Sequence, residues 1–82
     1  MVDSARRRKL SFGRRLAAER ARHNWTAADA ARAVNRTRQH WAMWEAGVSM
    51  PAGATVADLA RALGVSSDYL LGLTDRRDPP VP

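Results

Sequence analysis

Two tryptophans three residues apart, in N-R-T-R-Q-H-W-A-M-W-E-A-G over residues 35–47, constrain this chain more than any other feature. The chain has 82 residues and no cysteine. Its core is therefore small and has no disulfide or thiolate–metal site to support it. Burying one indole removes about 150–250 Å² from water, worth at most about 4–6 kcal/mol. A domain of this size is stable by only about 5–15 kcal/mol. Trp41 and Trp44 at helical spacing thus predict a helix whose apolar side anchors the fold. Turning that helix by about 100° per residue places Gln39, Ala42 and Met43 away from the indoles, with Arg38 at the leading edge. A solvated helix face ordinarily carries Glu and Lys, and this one does not. Gln matches the edge of adenine, Arg forks onto guanine O6 and N7, and Ala and Met suit a thymine methyl. Stacking the indoles on bases instead would leave the helix without apolar anchors.

Charge points the same way. Net charge is +6. Residues 1–40 hold eleven Lys and Arg against three acids, and residues 41–82 hold three against five. One basic half beside a mildly acidic half suggests a surface for a polyanion, nucleic acid ahead of an anionic membrane. A solvated basic face is the plainer alternative. No apolar run approaches the ~20 residues of a membrane span, and the basic start has no apolar stretch behind it, as a secretory signal would. A cytoplasmic setting is expected.

Helix signals run along the chain. Residues 1–10 read as a flexible basic arm carrying Arg6, Arg7, Arg8 and Lys9, since like charges repel and nothing apolar precedes Leu10. Ser11 is the expected cap of a first helix to about His23, with Phe12 and Leu16 inward, and Asn24 as its stop. Trp25 is an apolar anchor. Thr26 caps a second helix to about Val34, with Asp29 in near capping-box position and the small Ala31 where another helix approaches. Asn35 tolerates the bend, Thr37 caps a third helix to Ala46, and Gly47 stops it. Residues 47–53 form a loop around Pro51. A fourth helix over about 54–63 turns Val56, Leu59, Ala60 and Leu63 inward. After Gly64, Ser66 or Ser67 caps a short fifth helix with Tyr69, Leu70 and Leu73 inward. Residues 75–82 read as a frayed tail. The expected class is all-α, a compact bundle of about five short helices with two joined by a tight turn. The domain proper spans 11–74.

An enzyme is not expected. The two histidines are far apart in sequence, and there are no paired carboxylates and no phosphate-binding glycine loop. No cofactor or metal is expected, and no separate small-molecule domain.

The run T-A-A-D-A-A-R-A-V-N-R-T-R-Q-H-W-A-M-W-E-A-G, residues 26–47, resembles the helix-turn-helix of the phage repressor and Cro family, the XRE-like domains with a lambda repressor-like fold. The likeness extends over about 11–74 and includes Pro51 and the V-A-D-L-A-R-A-L-G-V-S-S-D-Y-L-L run. It implies base reading by Arg38, Gln39 and Met43, with Ala42 adjacent. It implies phosphate contacts at Thr26 and Ala27 and over Ala46 to Met50, Ser49 included; Thr37, His40 and Arg36 are further phosphate candidates. Arg20 and Glu45 match a structural ion pair between the first and third helices. Ala27 departs from the Gln common there, Asn35 from a turn Gly, and Arg36 and Gly53 from apolar residues. The resemblance implies a sequence-specific regulator of transcription, a repressor, acting as a homodimer on a palindromic operator. The third helix, about 37–46, would lie in the major groove. Val65, Tyr69 and Leu73 are the candidate dimer contacts; closing the monomer core is their other reading. An antitoxin or other protein-interaction module on the same fold is the alternative function.

Overall fold

The computed structural model describes residues 4–79. It contains α1 (Ser4–Arg22), α2 (Ala27–Ala33), α3 (Arg38–Glu45), α4 (Gly53–Leu63) and α5 (Ser67–Leu70), with no strand among the described residues. None of these helices is long and apolar enough to cross a membrane.

All five helices end in the same way. A left-handed residue follows each helix end by one or two positions: Asn24, Asn35, Gly47, Gly64 and Gly72, with φ between 57° and 80°. The next N–H then donates back five residues, Trp25 to Arg20, Arg36 to Ala31, Val48 to Met43, Val65 to Ala60 and Leu73 to Asp68, at 2.8–3.3 Å. This turn satisfies carbonyls that the helix leaves unpaired, and Asn and Gly are the residues that enter it most cheaply. Starts are equally explicit. Thr26, Thr37 and Ser66 each accept a backbone N–H from three residues on, and Thr26 with Asp29 completes a reciprocal capping box.

The core gathers Phe12, Leu16, Ala30, Ala31, Val34, Trp41, Trp44, Val56, Leu59, Ala60, Leu63, Val65 and Leu70. Trp41 is 1% exposed and Trp44 is 5% exposed, their rings 6.0 Å apart and tilted by 58°. Trp25 is only partly buried and packs on the outside of this cluster. Helix α1 crosses the end of α3 at Gly13, where a Cβ would stand 2.5 Å and 2.7 Å from the Glu45 and Trp44 carbonyl oxygens. Backbone cannot yield there. A helical Gly→Ala change normally gains about 1 kcal/mol. Gly13→Ala is expected instead to cost about 1–3 kcal/mol through overpacking, read as a lower midpoint in urea unfolding.

Three expectations need correction. Residues 4–10 are not a flexible arm: Arg6, Arg7, Arg8 and Lys9 lie on α1. Arg and Lys are good helix formers, and extending a helix already anchored by Phe12 and Leu16 costs little; that outweighs screened repulsion. Met1 to Asp3 lie outside the described residues. The tail is not frayed where it is described. The Arg76 and Arg77 carbonyls accept from the Ser66 hydroxyl and N–H at 3.2 and 2.8 Å, and the Arg77 guanidinium grips Glu19 at 2.7 and 2.8 Å. Residues 80–82 lie outside the described part. Leu73 does not turn inward; it is 73% exposed, because the left-handed Gly72 ends the fifth helix first.

Candidate nucleic-acid interface

Helix α3 is held on three sides, which leaves one face free. Glu45 at its end is the clamp. Arg20 donates Nε and Nη2 to the Glu45 carboxylate at 2.5 and 3.0 Å, and its Nη1 donates to the Trp25 carbonyl at 2.9 Å. Trp41 Nε1 donates to the same carboxylate at 2.5 Å. One carboxylate therefore fixes α3 to α1 and orients the central indole. The hydrogen bond to Glu45 also holds the Arg20 guanidinium above its already high ordinary pKa.

The free face carries Arg38, Gln39 and Ala42, all exposed, with Met43 half-buried beside them. Arg38, Gln39 and Ala42 line a shallow depression together with Ala27 from the start of α2. Two polar side chains and two methyl groups thus share one open surface depression. Flanking this face, His40 is steered by two neighbours. Its Nδ1 lies 2.9 Å from the Thr37 hydroxyl, and its ring stacks on Trp44 with centroids 6.4 Å apart. That hydroxyl already accepts the His40 backbone N–H at 3.1 Å.

The phosphate candidates divide. Ala46 caps the end of α3 and is exposed; Ser49 is half-buried in the following loop. Thr26 has its N–H bonded to Asp29, and that carboxylate is held below its ordinary pKa by the Thr26 backbone and hydroxyl. An acid now sits in the first turn of α2, so this helix start is less open to an anion than the resemblance implies. Ala27 is half-buried and lines the depression. Arg36 is a correction. Its guanidinium donates to Thr55 Oγ1 at 3.0 Å and to the Asn35 carbonyl at 3.2 Å, fastening the α2–α3 turn to α4 rather than reaching outward.

The dimer candidates also separate. Val65 is 4% exposed inside the core, and half-buried Tyr69 packs against it, with the Arg15 guanidinium 5.6 Å from its ring centroid. Only Leu73 offers itself to a partner, next to exposed Leu71.

The Glu19–Arg77 pair escaped the sequence reading. Its signal was a Glu on the stripe of Phe12 and Leu16, a position that demands a cation. Glu19 is 1% exposed. Hydrogen bonding by Arg77 outweighs burial and holds its pKa below the ordinary value.

The cations themselves sort into two sets. Arg20, Arg22, Arg32, Arg61 and Arg77 pair with acids; Arg15 binds Ser11 and Tyr69, and Arg36 binds Thr55. Among the described residues, Arg6, Arg7, Arg8, Lys9, Arg14 and Arg38 have no side-chain partner, and neither does Arg76. Apart from Arg76, the unpaired cations lie on the first half of α1 and at the start of α3.

A tight two-helix unit with its second helix clamped and its outer face free is a helix-turn-helix. The helix-turn-helix domain family matches residues 11–74, and the chain belongs to it. The P22 c2 repressor protein, solved in complex with a synthetic operator, has the same fold. The two share 30% identity at a TM-score of 0.71, over 73% of this chain and 91% of that one. A hypothetical transcription factor, NHTF from Neisseria, shares the fold at a TM-score of 0.75 and 20% identity, over 87% of this chain and 82% of that one. No curated protein matches the chain.

Proposed function

We propose that the protein is a sequence-specific, double-stranded DNA-binding regulator of transcription, of the XRE or Cro/C1 kind, acting as a repressor. The observation that carries this reading is the free face of α3. Its indoles are spent on the core, its end is clamped by Arg20 and Glu45, and Arg38, Gln39, Ala42 and Met43 remain outward in a base-reading pattern. Arg38 reads guanine, Gln39 reads adenine, and Ala42 with Met43 meets thymine methyls. His40, Ala46 and Ser49 supply phosphate contacts beside them, with Thr37 at the start of the same helix.

One helix reads only a few base pairs, so two copies on a palindrome, about one helical turn apart, give useful specificity. Leu71 and Leu73, exposed side by side after α5, are the apolar residues proposed for that pairing. The P22 c2 repressor bound to its operator supports the same use of the fold here. Such a regulator works where its DNA lies, which in this reading is the cytoplasm.

Selecting bound duplexes from a random pool tests this. A half-site combining guanine, adenine and thymine, repeated as a palindrome, is the expected outcome. Affinity for it should fall about 10³–10⁵-fold between 50 and 200 mM salt if 6–10 phosphates are contacted. No enrichment, or binding indifferent to salt, contradicts the proposal.

A further inference from the structure

We infer that the first two turns of α1 form a rigid cationic prong that binds phosphates of the duplex outside the stretch read by α3. This rests on the DNA-binding reading and extends it. The family match begins at residue 11, whereas α1 begins at Ser4. Residues 4–10 lie before that match, and they are helical.

This segment is seated at its root. Leu10 lies against Gly47, where a Cβ would come within 2.7 Å of Leu10 Cδ2. Gly47 is the left-handed residue that ends the reading helix, so the prong is fixed to the exit of α3. From Leu10 back to Ser4 it rises about 9 Å at 1.5 Å per residue.

Its charge is organised. At ~100° per residue, Arg6 and Arg14 fall within about 40° of Leu10, and Arg7 within about 60°. The side of α1 turned toward the exit of α3 is thus lined by arginines. None of these, nor Arg8 or Lys9, has an acidic partner among the described residues, and the first turn carries no acid. Cations at a helix start oppose the helix dipole, and they repel one another. A phosphate chain alongside relieves both penalties. An anionic membrane is a poorer fit, because a surface-bound helix needs an apolar stripe, and Leu10 is the one large apolar residue in the segment.

The test uses the duplex enriched from a random pool and two variants of the whole chain. One replaces Arg6, Arg7, Arg8 and Lys9 by alanine. The other inserts Gly-Gly-Ser between Lys9 and Leu10, keeping every charge but freeing the prong. The alanine variant should lower the slope of log affinity against log salt by about 2–4 and lose at least ~10-fold in affinity at low salt. Its ratio of cognate to unrelated binding should stay unchanged, and its melting temperature should not fall. The insertion should lose most of the same affinity. An unchanged slope in the alanine variant overturns the prong, and so does wild-type affinity in the insertion variant, which would make the cations a loose arm. Vesicles containing phosphatidylserine form a third arm: charge-dependent vesicle binding with an unchanged duplex slope assigns the segment to a membrane and also overturns the proposal. If the wild-type chain enriches no duplex, the DNA-binding reading fails and the prong fails with it.

Discussion

Replacing Trp41 by alanine is expected to cost about 3–5 kcal/mol, a large share of the about 5–15 kcal/mol by which such a domain is stable. Two effects add. Trp41 is the largest fully buried side chain of the protein, so truncation opens a cavity that Phe12, Leu16 and Leu59 cannot collapse to fill. It also removes the Nε1–H donor to Glu45, loosening the carboxylate that joins α1 to α3. Trp41→Phe separates the two effects: it retains much of the volume, lacks the donor and should cost less than half as much. Urea unfolding followed by far-ultraviolet circular dichroism measures both without relying on indole fluorescence. A loss under about 1 kcal/mol for the alanine variant would mean that the indole does not anchor the fold.

Arg77→Ala is the second large effect, and one that a tail residue does not advertise. The substitution takes a bidentate donor from Glu19, which is 1% exposed, whereas Arg77 is itself 39% exposed, so solvent already weakens the pair. Leaving a buried acceptor short of its partner costs about 1–3 kcal/mol, and Arg22, 3.5 Å from Glu19, keeps the expected loss toward the lower figure. The pH dependence has a definite sign. Arg77 depresses the Glu19 pKa in the folded state, so the stability contributed by the pair is present above the unfolded carboxyl value of about 4.3 and is lost as pH falls through the folded value. Without Arg77, burial opposes the Glu19 carboxylate with only the weaker attraction of Arg22 and His23 against it. The gap in stability between the two proteins should be widest near neutral pH and should narrow below about pH 4. Thermal melts across that range check it; a gap that widens in acid would contradict the assignment.

These two residues show where sequence was sufficient and where it was not. Trp41 and Trp44 could be placed because helical periodicity is local: a spacing of three on one helix decides which side is apolar. The helix stops at Asn24, Asn35, Gly47 and Gly64 were legible for the same reason, since a left-handed residue is a property of the residue and its neighbours. Glu19 and Arg77 are 58 residues apart, and no local pattern joins them; the polar residue on an apolar stripe was the only sign. Arg36 was read as a phosphate contact because nothing nearby in sequence revealed Thr55 as its partner. Residues 4–10 were misread because charge repulsion was weighed without the helix formation that an anchored neighbour promotes. On the candidate interface, the exposure of Arg38, Gln39 and Ala42 followed from rotation about one helix. The row of unpaired cations along α1 follows from where the fold places the acids, which pair with Arg20, Arg22, Arg32, Arg61 and Arg77 instead.

The central claim is that the outer face of α3 reads base edges. Its most direct test is the affinity of Arg38→Ala and Gln39→Ala for the enriched duplex and for an unrelated duplex, at one fixed salt concentration. Each variant should lose about 1–3 kcal/mol on the enriched duplex and lose selectivity at one base position, with unrelated binding nearly unchanged. Equal weakening on both duplexes would show that these side chains serve the backbone and that bases are read elsewhere.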